Sequence, residues 1–311
     1  SRHPYDRLGQ IEIAAAAGCH IYCEKPLTAS LLEADRIVEI AEAHGIRICM
    51  AHPCRYALVF RAMKRMLEAG EIGRPLIVHG RGKCDHRGGG EDLIVLGTHI
   101  LDVQTFLFGA PECVLADITE GGRPIERTDR SETVEPVGPA AGDSIYACFR
   151  FPGDVRGVFE STRGLHDRSR DMTQMGITVV GEEGALSMRF DDAETRTLRI
   201  SRSRDPLIYG SRFEDVPLTE DRAIPGAEPL DYSLCGQKDI PTARYFLEAN
   251  RFAAWDLIRA IEEQREPISS VYDARIAQEM IQGIYASHLS GARVDFPLRD
   301  RTHPLGEQDA I

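Results

Sequence analysis

The sequence predicts an α/β unit followed by a larger α+β domain. Three observations carry this reading. Residues 1–52 alternate helix-like and strand-like segments with short connections, the pattern of a parallel sheet with right-handed crossovers. From "PLIVHGRGK" at residue 75, alternating strand-like segments dominate, separated by turn residues, as in an open antiparallel sheet. Two long amphipathic segments follow near the end of the chain.

The elements follow in order. "YDRLGQIEIAAAAG" has apolar residues at helical spacing and stops at Gly18, a residue suited to a helix C-terminus. "HIYC" is a short strand that runs into the charged turn "EKP". Ser30 and Glu33 form S-x-x-E, the signature of a capping box. The helix it opens carries Leu31, Ala34, Ile37, Val38 and Ala41 on one face and ends at Gly45. "IRICMA" is the next strand, and "ALVFRAMKRMLEAGEIG" another amphipathic helix, closed by Gly70 and Gly73. The later strands are "SIYACFRF", "VRGVFEST", "GITVVG", "ALSMRF" and "TLRISRS". One helix, "EDLIVLGTHILDVQTFLFG", interrupts them. Residues 202–240 are rich in turn formers and read as loop. "ARYFLEANRFAAWDLIRAIEEQ" and "SVYDARIAQEMIQGIYASHLSG" are the closing helices, and the residues after 298 read as a polar tail.

Composition excludes several function classes. The 311 residues carry a formal charge of −12, which repels a phosphate surface and argues against nucleic acid. No apolar run reaches the roughly 18 residues of a membrane span. The eight cysteines (19, 23, 49, 54, 84, 113, 148, 235) lie mostly in apolar or strand-like contexts. They suit buried thiols in a reducing compartment better than a disulfide scaffold. A cytoplasmic protein is expected, with any export signal upstream of Ser1. His52/Cys54 and Cys84/His86 are each separated by one residue, unlike the C-x₂₋₄-C spacing of structural zinc, so no metal is expected. No G-x-S-x-G serine-hydrolase element occurs.

"AGCHIYCEKPLTAS" resembles the EKP segment of the glucose–fructose oxidoreductase / inositol dehydrogenase family, often called Gfo/Idh/MocA. Four further segments are similar to that family, in its order. These are "RYALVFRAMKRMLEAGEIGRPLIV", "GTHILDVQTFLFG", "VVGEEGALSM" and "SSVYDARIAQEMIQGIYASHLSGARVDFPL". The resemblance implies a two-domain oxidoreductase that uses NAD or NADP and acts on sugars, polyols or related hydroxy compounds. Its fold here would be the C-terminal part of a Rossmann-type parallel sheet (1–53), then an α+β domain with an open antiparallel sheet flanked by helices (54–298), then the tail (299–311). It also implies a homo-oligomer formed through the open sheet. One departure stands out: no G-x-G-x-x-G occurs, although the dinucleotide fold uses those glycines to seat the pyrophosphate. The nearest string, "GRGKCD", lacks the last glycine. On the order of 70 residues, two or more βα units at about 30 per βαβ unit, are expected ahead of the EKP turn. The chain is therefore expected to be a piece of a longer protein; a protein that has lost its dinucleotide domain is the alternative.

Chemistry then picks out residues. Ligands of open α/β sheets bind beyond the carboxyl ends of the strands, where Lys25 stands. A cationic donor there stabilises a developing alkoxide or relays its proton. The resemblance makes Lys25 the active-site lysine, with Glu24 and Pro26 shaping the cofactor pocket. In the family motif D-x-G-x-H the histidine accepts a proton and the aspartate orients it. Here "VLGTH" keeps Gly97 and His99 but has Val95 in place of the aspartate, and valine accepts no hydrogen bond. Asp92 and Asp102 both lie on or near the face of His99 at helical spacing. Asp92 is the candidate to supply the carboxylate, directly or through substrate; Asp102 reads as a cap or salt bridge. "KCDHRGGGED" places Lys83, Asp85, His86, Arg87, Glu91 and Asp92 around three glycines, a set suited to a polyhydroxy substrate; a solvated loop has the same composition. Lys83, His86, Asp92 and His99 are the expected substrate contacts. Arg55 matches the arginine after the family's last Rossmann strand and is assigned to the cofactor. Alternatives to hydride transfer are a glycoside lyase or hydrolase acting through transient oxidation, and a non-catalytic, ligand-sensing regulator.

Overall fold

Helical spacing puts Ile11 and Ala15 on the buried face of α1 (Arg7–Ala16). Gly18 follows the helix with φ +71°, an angle that a residue without Cβ adopts freely. β1 (Ile21–Cys23) and β2 (Ile48–Met50) pair in parallel, Ile21 opposite Ile48, and α2 (Leu31–His44) crosses between them. The computed structural model describes residues 3–165, 175–190, 198–204, 212–218, 224–226 and 244–306.

The expected capping box at Ser30 does not form. Ser30 is the N-cap residue, but its side chain makes no capping bond. Packing holds the helix instead: Leu31, Ala34 and Ile37 are fully buried. A buried leucine or isoleucine contributes about 1.5–3 kcal/mol, more than the roughly 1 kcal/mol of a cap. A complete capping box does form at the start of α7 (Val271–Ser290), between Ser270 and Asp273.

α3 (Leu58–Glu68) leads into β3 (Pro75–Arg81). Next comes a helical run of three parts: α4 (Gly90–Asp92), a π-helical turn (Leu93–Gly97) and α5 (Thr98–Phe108). The strands that follow are β4 (Cys113–Glu120), β5 (Arg123–Pro124), β6 (Ser131–Glu132), β7 (Pro139–Ala140), β8 (Ser144–Phe151) and β9 (Val155–Thr162). β10 (Gly176–Gly181), β11 (Ala185–Arg189), β12 (Arg199–Ser201) and β13 (Glu214–Asp215) continue the series. α6 (Arg244–Glu262), α7 and β14 (Val294–Asp295) complete the described elements.

The large sheet has the order β13-β12-β11-β10-β3-β9-β8-β4-β14, with β5 attached to β4. Its pairs are antiparallel except β3 with β9, which is parallel. The expected antiparallel sheet is thus mixed at its centre. β6 and β7 form a separate hairpin. The expected loop of 202–240 lies largely outside the described residues.

α5 and α7 pack on one face of the sheet, over Val114, Phe149, Phe151 and Phe159. The opposite face carries Leu115 and Tyr146, 55% and 52% exposed. A second core fills the β1–β2 unit, and Val271, Ala274 and Leu298 belong to it. The first turn of α7 therefore packs on the small unit and the rest on the large sheet. β2 is further tied to residues 269–270, by the bridge Cys49–Ser270 and the Met50 N–H to Ser269 carbonyl bond of 2.8 Å. Packing consequently does not divide at residue 53. The segment expected as a polar tail is packed through residue 306. Arg301 pairs with Asp35 (2.6 Å) and with Glu279, and Leu305 is buried; residues 307–311 lie outside the described residues.

Candidate active site

Lys25 sits on the turn that leaves the carboxyl end of β1. The turn is held from behind by Arg7 of α1, whose guanidinium donates to the carbonyls of Pro26 and of Leu27 (3.1 Å). Glu24 is exposed, and its carboxylate accepts the Lys25 backbone N–H at 3.1 Å. Pro26 is buried and follows a cis Lys25–Pro26 peptide. The Lys25 ammonium donates to the Val95 carbonyl at 2.7 Å. Burial pushes its pKa below the usual lysine value, against the opposing charges of Glu135 and Glu24.

Val95 lies within the π-helical turn. Such turns take the backbone off the regular α-helical hydrogen-bond ladder and are frequent at functional sites. Here the carbonyl of Val95 faces the lysine, although the side chain has no polar atom to offer. Gly97 completes the turn against β9: a Cβ there would stand 2.7 Å from the Phe159 ring. His99, at the start of α5, is buried, and its Nδ1 has no hydrogen-bond partner among the described residues. Burial pushes His99 well below the ordinary imidazole value, and nearby Lys25 and His52 push the same way against Asp102. His99 is accordingly neutral at pH 7.

The two candidate carboxylates differ in role. Asp102 accepts from Arg55 Nε at 2.8 Å. His52 Nδ1 lies 3.2 Å from the same oxygen but off line for a hydrogen bond, and neither nitrogen of its ring has a hydrogen-bond partner among the described residues. Burial alone would raise the Asp102 pKa; Arg55 and His52 outweigh it and hold it at about 2. Asp92, expected at His99 or the substrate, is instead fully buried. It accepts from Ser161 Oγ (2.5 Å) and the Cys84 N–H (3.1 Å), so its carboxylate closes the 83–92 loop onto β9. Arg55, expected at the cofactor, is buried. Its nitrogens reach Asp102, Asp273 (3.0 Å), Thr105 Oγ1 (2.9 Å) and the Ile268 carbonyl (3.2 Å). The guanidinium is spent inside the protein.

The 83–92 loop is a charged rim. Asp85 collects Arg87 (3.1 Å), Lys83 (3.4 Å) and the exposed His86 (3.8 Å). Burial would raise Asp85, but hydrogen bonds from Arg87 and the charges of Arg87 and Lys83 hold it at about 2. Arg87 also reaches Glu135, between β6 and β7, at 3.3 Å. The three glycines do permit close backbone approach, but to protein. A Cβ on Gly88 would meet the Arg163 backbone, one on Gly89 the Gly142 carbonyl, and one on Gly90 the Ala141 carbonyl.

The structure thus gathers Lys25, Val95, His99, His52, Asp102 and Arg55, and leaves Asp92 apart. Sequence reasoning weighed His52 only as a metal ligand. The strand-end rule that found Lys25 also points to it, because His52 stands just beyond the carboxyl end of β2. Among the described residues, no three histidine, cysteine, aspartate or glutamate side chains are placed to hold a metal ion. No helix among them is long and apolar enough to cross a membrane. Two surface clefts, of about 280 and 520 Å³, contain none of the site residues.

Residues 60–187 match the family model described as the GFO/IDH/MocA C-terminal domain. Residues 9–52 match that of the oxidoreductase family with an NAD-binding Rossmann fold. Inositol 2-dehydrogenase of Burkholderia lata is 40% identical over 105 residues, a match that spans 31% of this chain and only 30% of that relative. D-xylose 1-dehydrogenase (NADP+) of Haloarcula marismortui is 36% identical over 268 residues, covering 78% of this chain and 69% of the relative. In fold, the chain is similar to an NAD-binding oxidoreductase from Klebsiella pneumoniae, with a TM-score of 0.69 and 20% identity over 96% of this chain and 78% of that one. The ordered motifs, the helix-covered mixed sheet and a xylose dehydrogenase matched over most of both chains together make this chain a member of the GFO/IDH/MocA oxidoreductase family.

Proposed function

We propose that the protein is an NAD(P)-dependent dehydrogenase acting on the CH–OH group of a sugar, polyol or sugar-derived substrate. The observation that carries this is the meeting of Lys25 and His99 at the π-helical turn. One group is a desolvated cation and the other a buried neutral imidazole. Lys25 gives one of an ammonium's three donors to Val95 and keeps two for a ligand. It would hold the substrate hydroxyl and stabilise the alkoxide as it forms. His99 would accept the hydroxyl proton.

The carboxyl end of β1 suits the nicotinamide end of a cofactor, bordered by Glu24, Lys25 and Pro26. No glycine turn of the pyrophosphate-binding kind occurs in the sequence, and no residue is assigned to that group. Bound there, NAD(P)+ would supply the hydride acceptor for the substrate carbon. Lys83 and His86, on the rim, are the proposed contacts for further hydroxyls. Arg55 and Asp92 belong to the scaffold in this reading. The exposed Leu115–Tyr146 face of the sheet is the proposed contact with a second copy. The seven cysteines among the described residues are all free thiols, which supports a reducing, cytoplasmic setting.

The test is cofactor reduction with a panel of inositols, pentoses and hexoses. Lys25→Ala should lower turnover about 10²–10⁴-fold, the size of a general acid–base contribution, with an unchanged circular dichroism spectrum and melting temperature. Turnover equal to that of the unsubstituted protein removes Lys25 from the chemistry.

A further inference from the structure

We propose that Glu135, on the β6–β7 hairpin and paired with Arg87, is a specificity-determining residue: its carboxylate accepts a hydrogen bond from a second hydroxyl of the substrate, so that a polyhydroxy compound is selected over one lacking that hydroxyl. This rests on the reading of Lys25 as the group that holds the reacting hydroxyl.

Three segments close a ring of contacts that includes Lys25. The first is the turn after β1, whose Lys25 ammonium donates to the Val95 carbonyl at 2.7 Å. The second is the 83–92 loop, which carries Arg87 and runs on into the π-helical turn that holds Val95. The third is the β6–β7 hairpin. Arg87 Nη1 donates to Glu135 Oε1 at 3.3 Å. The hairpin then returns to the first segment, where a Cβ on Gly138 would stand 3.5 Å from that of Ala29. Charge ties the Arg87–Glu135 pair to the lysine. Of the charged groups around the Lys25 ammonium, Glu135 acts on it most strongly, ahead of the adjacent Glu24, and Arg87 opposes it. Coulomb attraction weakens with distance and with intervening water, so the Glu135 carboxylate belongs to the surroundings of the ammonium.

Both partners are fixed by the protein. Asp85 holds the Arg87 guanidinium at 3.1 Å and its backbone N–H at 2.9 Å. The Glu135 carbonyl accepts from the Val137 N–H at 2.7 Å and from Thr133 Oγ1, and Thr133 and Val137 are buried. The backbone of Glu135 is thus anchored while its side chain is 49% exposed. An ionised carboxylate has about four acceptor positions, and Arg87 takes one. A charged acceptor on a fixed backbone beside the reacting group suits the recognition of a hydroxyl. As a latch alone the pair would do little. The hairpin is already held by Val137 in the core and by Gly138 at Ala29, and a half-exposed ion pair adds little stability.

The probes are myo-inositol and D-xylose, each with its monodeoxy derivatives. Binding is read by calorimetry without cofactor, and kcat and KM by reduction of NAD+ or NADP+. Glu135→Ala should raise Kd and KM for the better of the two sugars about 10-fold, the lower range for a hydrogen bond to a charged group, with the loss in KM rather than kcat. The deoxy derivative that lacks the recognised hydroxyl should already bind about 10-fold more weakly to the unsubstituted protein, and Glu135→Ala should add nothing to that loss. Glu135→Gln keeps an acceptor oxygen and should recover part of the affinity. Arg87→Ala breaks the ion pair but leaves the carboxylate, so its loss should be smaller than that of Glu135→Ala. Equal losses for the sugar and for every deoxy derivative overturn the proposal, as do unchanged Kd and KM or a failure to bind either sugar. Should Glu135→Ala fail to fold, Glu135→Gln carries the same comparison, with a smaller loss confined to the same hydroxyl. A Kd loss confined to one hydroxyl, in a protein that reduces neither cofactor, upholds the role of Glu135 and refutes the dehydrogenase reading. Cofactor reduction with uniform losses does the reverse.

Discussion

Asp92 stands at the start of the helical run and Asp102 inside α5, beyond the π-helical turn, and both are fully buried. Burial pushes both carboxyls up. Asp102 faces a guanidinium and a histidine and ends at about 2. Asp92 faces a hydroxyl and a backbone N–H and ends above the ordinary aspartate value, because those bonds do not offset its desolvation. Burial is therefore common to both, and the presence of a cation decides the sign. Asp102 is a charged anchor that fixes Arg55 behind the site, with His52 beside it. Asp92 is an uncharged-preferring clasp that closes the rim loop onto β9.

The largest effect is expected at the anchor. Asp102→Asn leaves the Arg55 charge buried beside a neutral amide. Losing one partner of a buried pair costs about 3–5 kcal/mol. Arg55 keeps Asp273 and Thr105, so about 3 kcal/mol is expected, read from the urea midpoint at pH 7. A loss under about 1 kcal/mol would mean that Asp273 alone satisfies Arg55, and the contrast between the two carboxylates would collapse.

Ser161→Ala probes the clasp. The hydroxyl donates to Asp92 at 2.5 Å and accepts the Gly89 N–H at 3.0 Å. Its removal leaves a buried N–H unpaired, for about 1–3 kcal/mol. Hydrogen exchange at Gly89 should speed up while the amides of α5 keep their protection. Equal acceleration in both would show that the clasp and the helix open as one unit.

Much of this was readable in the sequence, and the failures have physical causes. β8, β9 and β10 have the bounds that their alternation and flanking turns imply. β4 escaped because its exposed-face residue Leu115 is apolar, which blurs the two-residue period of "CVLADITE". The parallel pairing of β3 with β9 is invisible to alternation, because parallel and antiparallel strands share that period. The ion pairing of Asp102 followed from its place on a helix. α-Helical spacing aligns Asp92 with His99, but the π-helical turn between them departs from that spacing, and Asp92 meets Ser161 and Cys84 instead. Lys25 was marked by a charge at a strand end. His52, at the end of the neighbouring strand, was hidden by its apparent pairing with Cys54.

The smallest effect at neutral pH, and the sharpest comparison, is Asp92→Asn. The folded pKa of Asp92 is raised, so folding favours its protonated form. As pH rises from the unfolded aspartate value of about 3.9 through the folded value, the native state binds more protons than the unfolded one, and stability falls. Asparagine does not titrate and keeps an acceptor for Ser161 and Cys84. Asp92→Asn should therefore lie within about 1 kcal/mol of the parent at pH 7, with its relative stability rising as pH rises through that window. Asp102 has the opposite sign. Its folded pKa of about 2 lies below the unfolded value, so its contribution is present above pH ~4 and lost as pH falls toward 2. The deficit of Asp102→Asn should shrink on acidification over that range, while that of Asp92→Asn grows. Urea midpoints for the two variants and the parent across pH 3–7 test this directly. Parallel slopes would mean that the cation beside Asp102 does not set the difference between the two carboxylates.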